Sequence, residues 1–379
     1  MLVMNMNYNI AVIILAAGFS NRMGVFKPLL PVGGPTAVSR AIDIARSAGA
    51  AEAIVVTGHC CENLSAELQD KAPYVRTVHN NQYAQGMFSS VCSGVSNISH
   101  DADGFLLLPA DCCAVSPQTI KTLIEQFYKT GQKFIIRPKM GTGSRGHPPL
   151  LPSQLRAQLC AYEGEDGLKG FLRSFESIEL EVDDPGVNLD MDTPEDYEKL
   201  LNYLGVPAYP TPAQSLNLLK SCGTPPEIVA HMKHVAALAL KIAGLLSTAP
   251  GININTELLE SACLLHDIKR LEPNHAAEGK KFLLSLGYPQ AAQIVGEHMD
   301  ISEIREDIGE SEILYLADKL CRGDKPVNLD ETMELLRRKF SEDPNALKQA
   351  HKRMENAKKI YTLLKTKYGI GSLEYEEIM

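Results

Sequence analysis

The order of apolar and amphipathic segments changes sharply close to residue 205. Before it, short apolar runs of strand length alternate with amphipathic stretches of helical length. Such alternation predicts a mostly parallel sheet with helices on both faces. Gly205, Pro207, Pro210 and Pro212 then interrupt the chain, and nearly every later segment has the period of a helix. The sequence therefore predicts an α/β domain followed by an all-α domain.

The predicted elements set the domain bounds. The α/β domain is expected over residues 8–204, a linker over 205–212 and the helical domain over 213–370. The expected strands are Ile10–Leu15, Ala53–Gly58, Gly104–Pro109 and Lys133–Pro138, and the expected helices of this half are Ala37–Ala48, Pro117–Thr130 and Thr193–Leu204. The later helices are expected at Pro226–Leu246, Thr256–Leu271, Asn274–Leu286, Pro289–His298 and Ser311–Leu320, followed by a long charged segment, Asp330–Lys367.

Composition excludes several classes of partner. The chain carries 37 Lys and Arg against 46 Asp and Glu, a net charge of −9, without a long basic block, so we expect no nucleic acid partner. The apolar run Ile10–Ala17 is too short to span a bilayer, so no membrane association is expected. The nine cysteines contain no C-x-x-C pair, and a reducing, cytoplasmic location is expected.

A glycine-containing loop follows the first predicted strand. Its small residues from Ala16 to Gly24 allow backbone N–H groups to approach a ligand closely. Arg22 and Lys27 add positive charge where phosphate oxygens would lie. The spacing of Gly18 and Gly24 fits neither a P-loop nor a dinucleotide fingerprint. An ordinary strand-to-helix turn would also explain the glycines, but the two basic residues favour a phosphate site.

Two acidic segments are candidates for binding a divalent cation. Asp111 follows the strand Gly104–Pro109, at the edge where open α/β sheets bind ligands. The segment Asn188–Asp192 precedes the last helix of this half. Mg²⁺ is typically held by one or two carboxylates together with phosphate oxygens. Asp111 as a turn or helix cap is the alternative interpretation.

These segments resemble the MobA-like nucleotidyltransferases, most closely the molybdenum cofactor cytidylyltransferase branch. The matching motifs are Leu15–Gly24 with Lys27–Leu30, Gly86–Ser90, Pro109–Asp111, Arg145–Pro148 and Asp190–Asp196. The resemblance implies a Rossmann-like fold that uses Mg²⁺ to join the NMP of an NTP to a phosphorylated acceptor. It favours CTP over GTP as the NTP, a molybdopterin-type acceptor, and a molybdoenzyme as the recipient of the finished cofactor.

The same resemblance implies roles for individual residues. Arg22, Lys27 and Asp111 would carry the catalysis, and Asp111 and Asp190 would hold Mg²⁺, with Asn188 and Asp192 as close alternatives to Asp190. The nucleotide would be bound by Leu15, Ala16, Ala17, Gly18, Arg22, Lys27, Gly86, Ser89 and Ser90. The acceptor would be bound by Arg145, Gly146, His147 and Asp166. Cys113 departs from the family, which usually has proline there.

Histidines and aspartates recur along the helices predicted for the second half. Adjacent residues on a helix point about 100° apart, so two neighbours bind one ion only if other helices close around it. Mixed His and Asp ligation suits Mn²⁺, Fe, Mg²⁺ or a similar divalent ion better than a structural zinc. A single helical histidine is more often a packed or surface residue, but this many in order favour a metal centre. The residues are His231, His266, Asp267, His275, His298 and Asp318.

The order H…HD…D resembles that of the HD-domain phosphohydrolases. The resemblance implies that His231, His266, Asp267 and Asp318 bind one metal, with Asp267 as a bridging, catalytic ligand. His275 and His298 resemble the extra histidines of a two-metal subgroup, which includes hydrolases of dinucleoside polyphosphates. A water activated by metal would then attack phosphorus. The motif departs from many relatives at Ile268-Lys269-Arg270.

Three functions are consistent with these patterns. The first is a bifunctional enzyme, a nucleotidyltransferase joined to a metal-dependent phosphohydrolase. The second keeps the transferase and makes the helical domain a nucleotide sensor that regulates it. The third is a chaperone that carries the cofactor without catalysis.

Overall fold

The computed structural model describes residues 8–142, 146–247, 249, 251–323 and 325–369. The chain divides into two compact units between Val206 and Pro207. The first contains a seven-stranded sheet with helices and the second is almost wholly helical. The predicted fold class, an α/β domain followed by an all-α domain, is confirmed.

The sheet of the first unit is mostly parallel. The strands are β1 (Ile10–Leu15), β2 (Glu52–Thr57), β3 (Val75–His79), β4 (Gly104–Pro109), β5 (Ile135–Lys139), β6 (Leu150–Pro152) and β7 (Ser177–Glu181). Their order in the sheet is β3-β2-β1-β4-β6-β5-β7, in which β6 alone is antiparallel to its neighbours. The helices are α1 (Ala37–Ser47), α2 (Cys61–Glu67), α3 (Met87–Val95), α4 (Pro117–Lys129), α5 (Arg156–Cys160), α6 (Gly167–Arg173) and α7 (Pro194–Tyr203).

Strand β1 lies in the interior of this sheet, and all six of its residues are apolar. It pairs in parallel with β2 and β4, and Ile13 lies opposite Ile54 and Leu107. Helix α3 covers one face of these strands and α1 the other. In the same register Leu15 is opposite Pro109, so the loop after β1 and the residues after β4 emerge side by side.

The strands that the sequence analysis missed lie in less apolar segments. β1 and β4 have the predicted bounds, while β2 and β5 are shifted by one or two residues. The edge strands β3 and β7 mix polar and apolar residues, and each pairs along one side only within the described residues. β6 is only three residues long, which is too short for a recognisable pattern.

The second unit is built from eight helices within the described residues. Helix α9 (Pro226–Leu246) has the length and hydropathy of a membrane-spanning helix. In this unit its side chains Met232, Val235 and Ile242 are buried. Two antiparallel strands of two residues each, β8 (Cys321–Arg322) and β9 (Lys325–Pro326), follow helix α13 (Glu310–Lys319). No strand was predicted there. The helices are α8 (Pro212–Ser221), α9 (Pro226–Leu246), α10 (Thr256–Leu265), α11 (His275–Ser285), α12 (Pro289–Glu297), α13 (Glu310–Lys319), α14 (Leu329–Lys339) and α15 (Pro344–Tyr368).

Two helical predictions need correction. The segment predicted as Thr256–Leu271 ends as a helix at Leu265, and the backbone then forms a tight turn in which the N–H of Arg270 donates to the carbonyl of Asp267. The charged segment Asp330–Lys367 is two helices rather than one. Asp343 caps the second of them through its carboxylate, which accepts from two backbone N–H groups, and Pro344 occupies the first turn, where proline begins helices.

Two helical glycines provide a test of the packing. Gly94 in α3 is buried, and a Cβ atom there would lie 2.4 Å from Cγ2 of Ile13. Gly244 in α9 has nothing within 4 Å of the same position. We expect Gly94→Ala to lower the free energy of unfolding by about 2 kcal/mol through overpacking. Gly244→Ala should raise it by about 0.5 kcal/mol through helix propensity.

Urea unfolding followed by circular dichroism measures both changes. Hydrogen exchange of peptides from β1 and α9 assigns each change to its unit. Equal effects of the two substitutions would contradict the packing of α3 on β1.

Candidate active sites

A cleft of about 340 Å³ lies at the carboxyl ends of β1 and β4. One wall is the loop after β1, including the backbone of Leu15–Gly18, and another is the beginning of α3 at Gly86 and Ser90. Asp111 lines its floor because β4 runs parallel to β1 in the register described above. The structure thus brings the predicted nucleotide-binding loop and the predicted metal ligand into one cleft.

Lys27 lies between two carboxylates in this cleft. Its Nζ atom contacts Oδ2 of Asp111 and donates to Oδ1 of Asp192 at 2.9 Å. Burial alone would lower the pKa of Lys27, but the two carboxylates outweigh it and raise the pKa above its ordinary value. The hydroxyl of Ser20 accepts from the backbone N–H of Lys27 at 3.1 Å, which fixes the loop. A permanent positive charge therefore occupies the cleft.

Arg22 supplies a second and more exposed cation. Its guanidinium is 2.7 Å from Oδ2 of Asp192, yet 71% of its side chain is exposed, against 16% for Lys27. An exposed ion pair of this kind contributes little to stability. Arg22 can therefore exchange its carboxylate partner for phosphate oxygens at little cost.

The acidic segment before α7 presents Asp192 to the cleft. Asp192 lines it together with Asp111, whereas Asp190 is exposed and does not line it. Although Asp190 is exposed, partial desolvation of its carboxyl and the negative charges of Asp192 and Asp111 raise its pKa. The carboxyl of Asp190 is therefore close to the same charge cluster. Asn188 is also exposed and lies outside the cleft lining. The geometry favours Asp192 over Asp190 as the carboxylate that works with Asp111.

The two serines predicted to bind nucleotide are held by a buried asparagine. The amide of Asn80 donates to Oγ of Ser89 at 2.9 Å and to Oγ of Ser90 at 3.0 Å. Ser90 lines the cleft, whereas Ser89 does not and instead donates to the carbonyl of Gly86 at 2.8 Å. Asn80 was missed by the sequence analysis. Its signal was a polar residue directly after the end of β3.

Aromatic side chains line the mouth of the cleft. The ring centroid of Phe19 is 5.2 Å from that of Tyr83 and 5.2 Å from that of His59. Phe19 is 45% exposed, and Phe19 and Tyr83 both line the cleft. An exposed aromatic face beside a cationic loop can stack on a planar ring. Phe19 and Tyr83 were also missed, because the strands that place them together are far apart in sequence.

The residues predicted to bind the acceptor do not form one group. Arg145 lies outside the described residues. Gly146 packs against Val187, and a Cβ atom on it would lie 2.7 Å from the Cβ of Val187. Desolvation lowers the pKa of His147 although the charge of Asp111 opposes this shift, which places the imidazole near the cleft. Asp166 precedes α6, pairs with the guanidinium of a residue on that helix and does not line the cleft.

The second site gathers all six histidines and aspartates predicted for it. Nε2 of His266 lies 3.6 Å from Oδ2 of Asp267 and 3.5 Å from Oδ1 of Asp318. Nε2 of His231 lies 3.2 Å from Oδ1 of Asp318 and 4.0 Å from Oδ2 of Asp267. These four residues come from α9, the end of α10 and α13, so three segments close around one position.

Asp267 also faces a second pair of histidines. Its other oxygen, Oδ1, lies 3.2 Å from Nε2 of His275 and 3.5 Å from Nε2 of His298. Two groups of potential ligands, His231, His266 and Asp267 on one side and Asp267, His275 and His298 on the other, therefore share this carboxylate. The turn that ends α10 makes this possible, because it turns Asp267 inward between the two groups.

Backbone carbonyls fix the tautomers of three imidazoles. Nδ1 of His231 lies 2.9 Å from the carbonyl oxygen of Gly323. Nδ1 of His266 lies 2.8 Å from that of Cys263, and Nδ1 of His298 lies 2.6 Å from that of Val295. A carbonyl only accepts hydrogen bonds, so each Nδ1 must donate. In the neutral imidazole the Nε2 lone pair then points towards Asp267 or Asp318.

This arrangement fits a divalent cation. Nε2 of His266, Nε2 of His298 and Oδ1 of Asp267 are buried and lack a hydrogen-bond partner within the described part of the chain. Buried polar atoms are rarely left in that state, and acceptor atoms that face one another need a positive charge between them. Histidine nitrogens with carboxylate oxygens suit Mn²⁺ or Fe.

Two cations flank this cluster. Nζ of Lys319 donates to Oδ2 of Asp318 at 2.6 Å and to the carbonyl of His298 at 3.0 Å. Arg270 lies 3.5 Å from Oδ1 of Asp267. Burial would raise the pKa of Asp318, but Lys319 and the imidazoles of His231 and His266 hold it well below its usual range. The carboxylate thus stays ionised, as a metal ligand must.

Family models match both units, an NTP transferase domain in the first and a helical domain of a different family in the second. Residues 12–180 match the model of the MobA-like NTP transferase domain, and residues 228–323 match that of the HD domain. The chain therefore combines a MobA-like NTP transferase domain with an HD domain, as the sequence motifs predicted.

The chain is also similar to individual curated proteins and to solved structures. The chain is 26% identical over 185 residues to the molybdenum cofactor cytidylyltransferase of Escherichia coli K12, covering 49% of this chain and 92% of that protein. It is 30% identical over 125 residues to the bifunctional protein GlmU of Geobacter sulfurreducens, covering 32% of this chain. The match spans only about a quarter (26%) of GlmU's own length. The crystal structure of Rv0371c from Mycobacterium tuberculosis H37Rv aligns at 28% identity with a TM-score of 0.45, covering 51% of this chain and 98% of that one.

Helix α9 offers a matched test of the metal centre. His231 faces Asp318, whereas His234 is exposed and its Nδ1 lies 2.9 Å from the carbonyl of Ala230. We expect His231→Ala to lower the Mn²⁺ retained by the full chain after gel filtration at least about tenfold, because a ligand to the ion is lost.

His234→Ala should retain as much Mn²⁺ as the wild type, measured by inductively coupled plasma mass spectrometry. Asp267→Asn should lose more metal than His275→Ala, since Asp267 faces both ligand groups. Equal retention by the His231 and His234 variants would refute the assignment.

Proposed function

We propose that the chain is a bifunctional enzyme. Its first domain would transfer an NMP, most readily from CTP, to a phosphorylated acceptor of the molybdopterin type. Its second domain would be a metal-dependent phosphohydrolase. The single observation that carries the transferase proposal is Lys27, held between Asp111 and Asp192 at the rim of the sheet. CTP and molybdopterin are proposed from the name of the Escherichia coli relative.

The residues of the first cleft support this chemistry through charge. Lys27 would exchange its carboxylate contacts for phosphate oxygens, and Arg22 would approach the same oxygens from the exposed side. Phosphoryl transfer needs positioning and neutralisation of charge more than a protein nucleophile. The backbone of Leu15–Gly18 would bind the base and the ribose, because Ala16, Ala17 and Gly18 have no large side chain to block its approach.

The carboxylates of the cleft fit Mg²⁺ by the chemistry of their oxygen atoms. Asp111 and Asp192 both contact one ammonium group, so they lie close enough together to hold one cation, with Asp190 beside them. When bound, Mg²⁺ supplies further neutralisation of the triphosphate. The chain's own contribution is to fix the two carboxylates opposite Lys27 and Arg22.

The helical site supports hydrolysis through its ligand set and its flanking cations. Asp267 and Asp318 would hold divalent cations together with the four histidines, and bound cations supply Lewis acid chemistry at a phosphate. Lys319 and Arg270 would bind phosphate oxygens and neutralise charge that develops on them. The Nε2 atoms of His266 and His298, which are buried and have no hydrogen-bond partner among the described residues, favour this function over a solely structural one.

Lys27 gives the sharpest test of the transferase. We expect Lys27→Ala to lower kcat/KM for pyrophosphate release from CTP, with molybdopterin supplied, by about 10³-fold, because a cation fixed at the phosphates is lost. Lys71→Ala is the matched control, since Lys71 pairs with Asp43 and does not line the cleft. Unchanged pyrophosphate release by Lys27→Ala would overturn the assignment.

A pair of isosteric substitutions separates the two candidate carboxylates. Asp192→Asn should raise the Mg²⁺ concentration needed for half-maximal transfer by at least about tenfold, whereas Asp190→Asn should raise it about twofold. The measurement is a Mg²⁺ titration of initial rate at saturating CTP. The reverse order would assign the second ligand to Asp190.

The helical domain is tested by phosphate release from a panel of nucleotides with Mn²⁺. Asp267→Asn should lower the rate at least about 10²-fold, because one carboxylate faces both ligand groups. His234→Ala should retain the full rate. A wild-type chain that binds Mn²⁺ and hydrolyses none of the panel would point to a sensor instead.

A further inference from the structure

A large cleft opens beside the histidine and aspartate cluster. Its volume is about 1020 Å³, and His231, Asp267 and Asp318 border it at one end. Much of its remaining wall comes from α14 and α15. Both helices follow residue 323, where the match to the HD domain ends. The part of the chain that shapes this cleft therefore lies outside the part that supplies the metal ligands.

The volume is too large for phosphate and metal alone. Pockets that bind small organic molecules typically measure about 300–1,000 Å³. A cleft of about 1020 Å³ has room for the phosphate groups and for an organic group of nucleoside size. The composition of the distal wall then indicates which organic group it fits.

One side of α14 presents apolar side chains to the cleft. Leu335 is 44% exposed, although leucine on a charged helix is normally turned inward. Leu336 and Phe340 line the cleft beside it, and Met354 of α15 lies on the same wall. We call Leu335, Leu336, Lys339 and Phe340 the α14 face. An exposed leucine in a concave, partly aromatic wall is typical of a site that an apolar ring covers.

The charges on this wall are distributed unevenly. Arg337 and Arg338 of α14 point away from the cleft and pair with Glu334. Arg322 and Lys339 line the cleft, and neither forms an ion pair with a carboxylate of the described residues. The ammonium of Lys339 lies 5.3 Å from the ring centroid of Phe340. Two cations are thus left for an anion beside an aromatic ring.

We propose that the α14 face binds the organic group of a phosphate ester, namely a planar heteroaromatic ring such as a nucleobase. The ring lies against Leu335 and Phe340. Arg322 and Lys339 bind phosphate oxygens of the same molecule, which in a nucleoside monophosphate are those of its one phosphate group. The α14 face thereby selects phosphate esters by their organic group. That a phosphate is cleaved at the other end of the cleft rests on the proposed hydrolase function, whereas binding of the ring does not.

Protection of Lys339 from acetylation tests the binding directly. The full chain is loaded with Mn²⁺ and treated with an acetylating reagent, alone or with equal concentrations of adenosine monophosphate or inorganic phosphate. Mass spectrometry then quantifies each lysine. We expect adenosine monophosphate to slow acetylation of Lys339 at least about fivefold and inorganic phosphate to slow it less than twofold. Lys348 is the internal control, since it is exposed on α15 and does not line the cleft.

Leu335→Ala separates a contact with the ring from a contact with phosphate. We expect this variant to need about tenfold more adenosine monophosphate for half-protection of Lys339, because the apolar contact is lost. Its exposed side chain makes a folding defect a poor explanation, and circular dichroism checks the fold. Arg338→Ala, which changes a side chain of α14 outside the cleft, should match the wild type.

The outcomes separate this inference from the hydrolase proposal. Equal protection by phosphate and by adenosine monophosphate, no protection by either, or an unchanged Leu335→Ala variant would each overturn the inference. Protection as expected, together with no hydrolysis of any nucleotide, would support the inference and overturn the hydrolase proposal.

Discussion

Carboxylates gathered in partly buried positions need a compensating positive charge, and both sites depend on how it is supplied. A carboxylate removed from water is costly unless a cation or hydrogen-bond donors replace the lost hydration. In the first unit Lys27 supplies that charge between Asp111 and Asp192. In the second unit Asp267 faces imidazoles whose protons are already used by backbone carbonyls. The first site holds its cation between its two carboxylates, whereas in the second Lys319 and Arg270 flank the cluster and the Nε2 atoms of His266 and His298 still face Asp267 without a hydrogen-bond partner among the described residues.

This difference explains why we propose nucleotidyl transfer for the first unit and phosphate hydrolysis for the second. A partly buried ammonium and an exposed guanidinium are suited to neutralising a triphosphate that enters and leaves as pyrophosphate. A cluster of unprotonated nitrogens around two buried carboxylates is suited to holding cations throughout turnover. Each unit has its own core and its own site, so the two chemistries require no shared residues.

The sequence predicted the parts of each site that depend on a single segment. β1 and β4 are uniformly apolar, so their bounds and the position of Asp111 after β4 were predicted correctly. The six histidines and aspartates were found because their residue types and order are distinctive. Asn80 and Tyr83 were missed because only the packing of β3 and α3 brings them to the cleft, and Phe19, which lies in the predicted loop after β1, was missed because its contact with Tyr83 depends on that packing. The choice between Asp190 and Asp192 depends on the path of the backbone before α7. The turn after Leu265 was hidden because the helical pattern continues through it.

The position of Asp267 between two groups of potential ligands predicts a cation on each side of its carboxylate. Anomalous diffraction at the manganese edge from crystals of the full chain soaked in Mn²⁺ tests it directly. We expect two anomalous peaks, one on each side of the Asp267 carboxylate, the first beside His231, His266 and Asp318 and the second beside His275 and His298. A Mn²⁺-saturated crystal with no peak in contact with Asp267 would contradict the account.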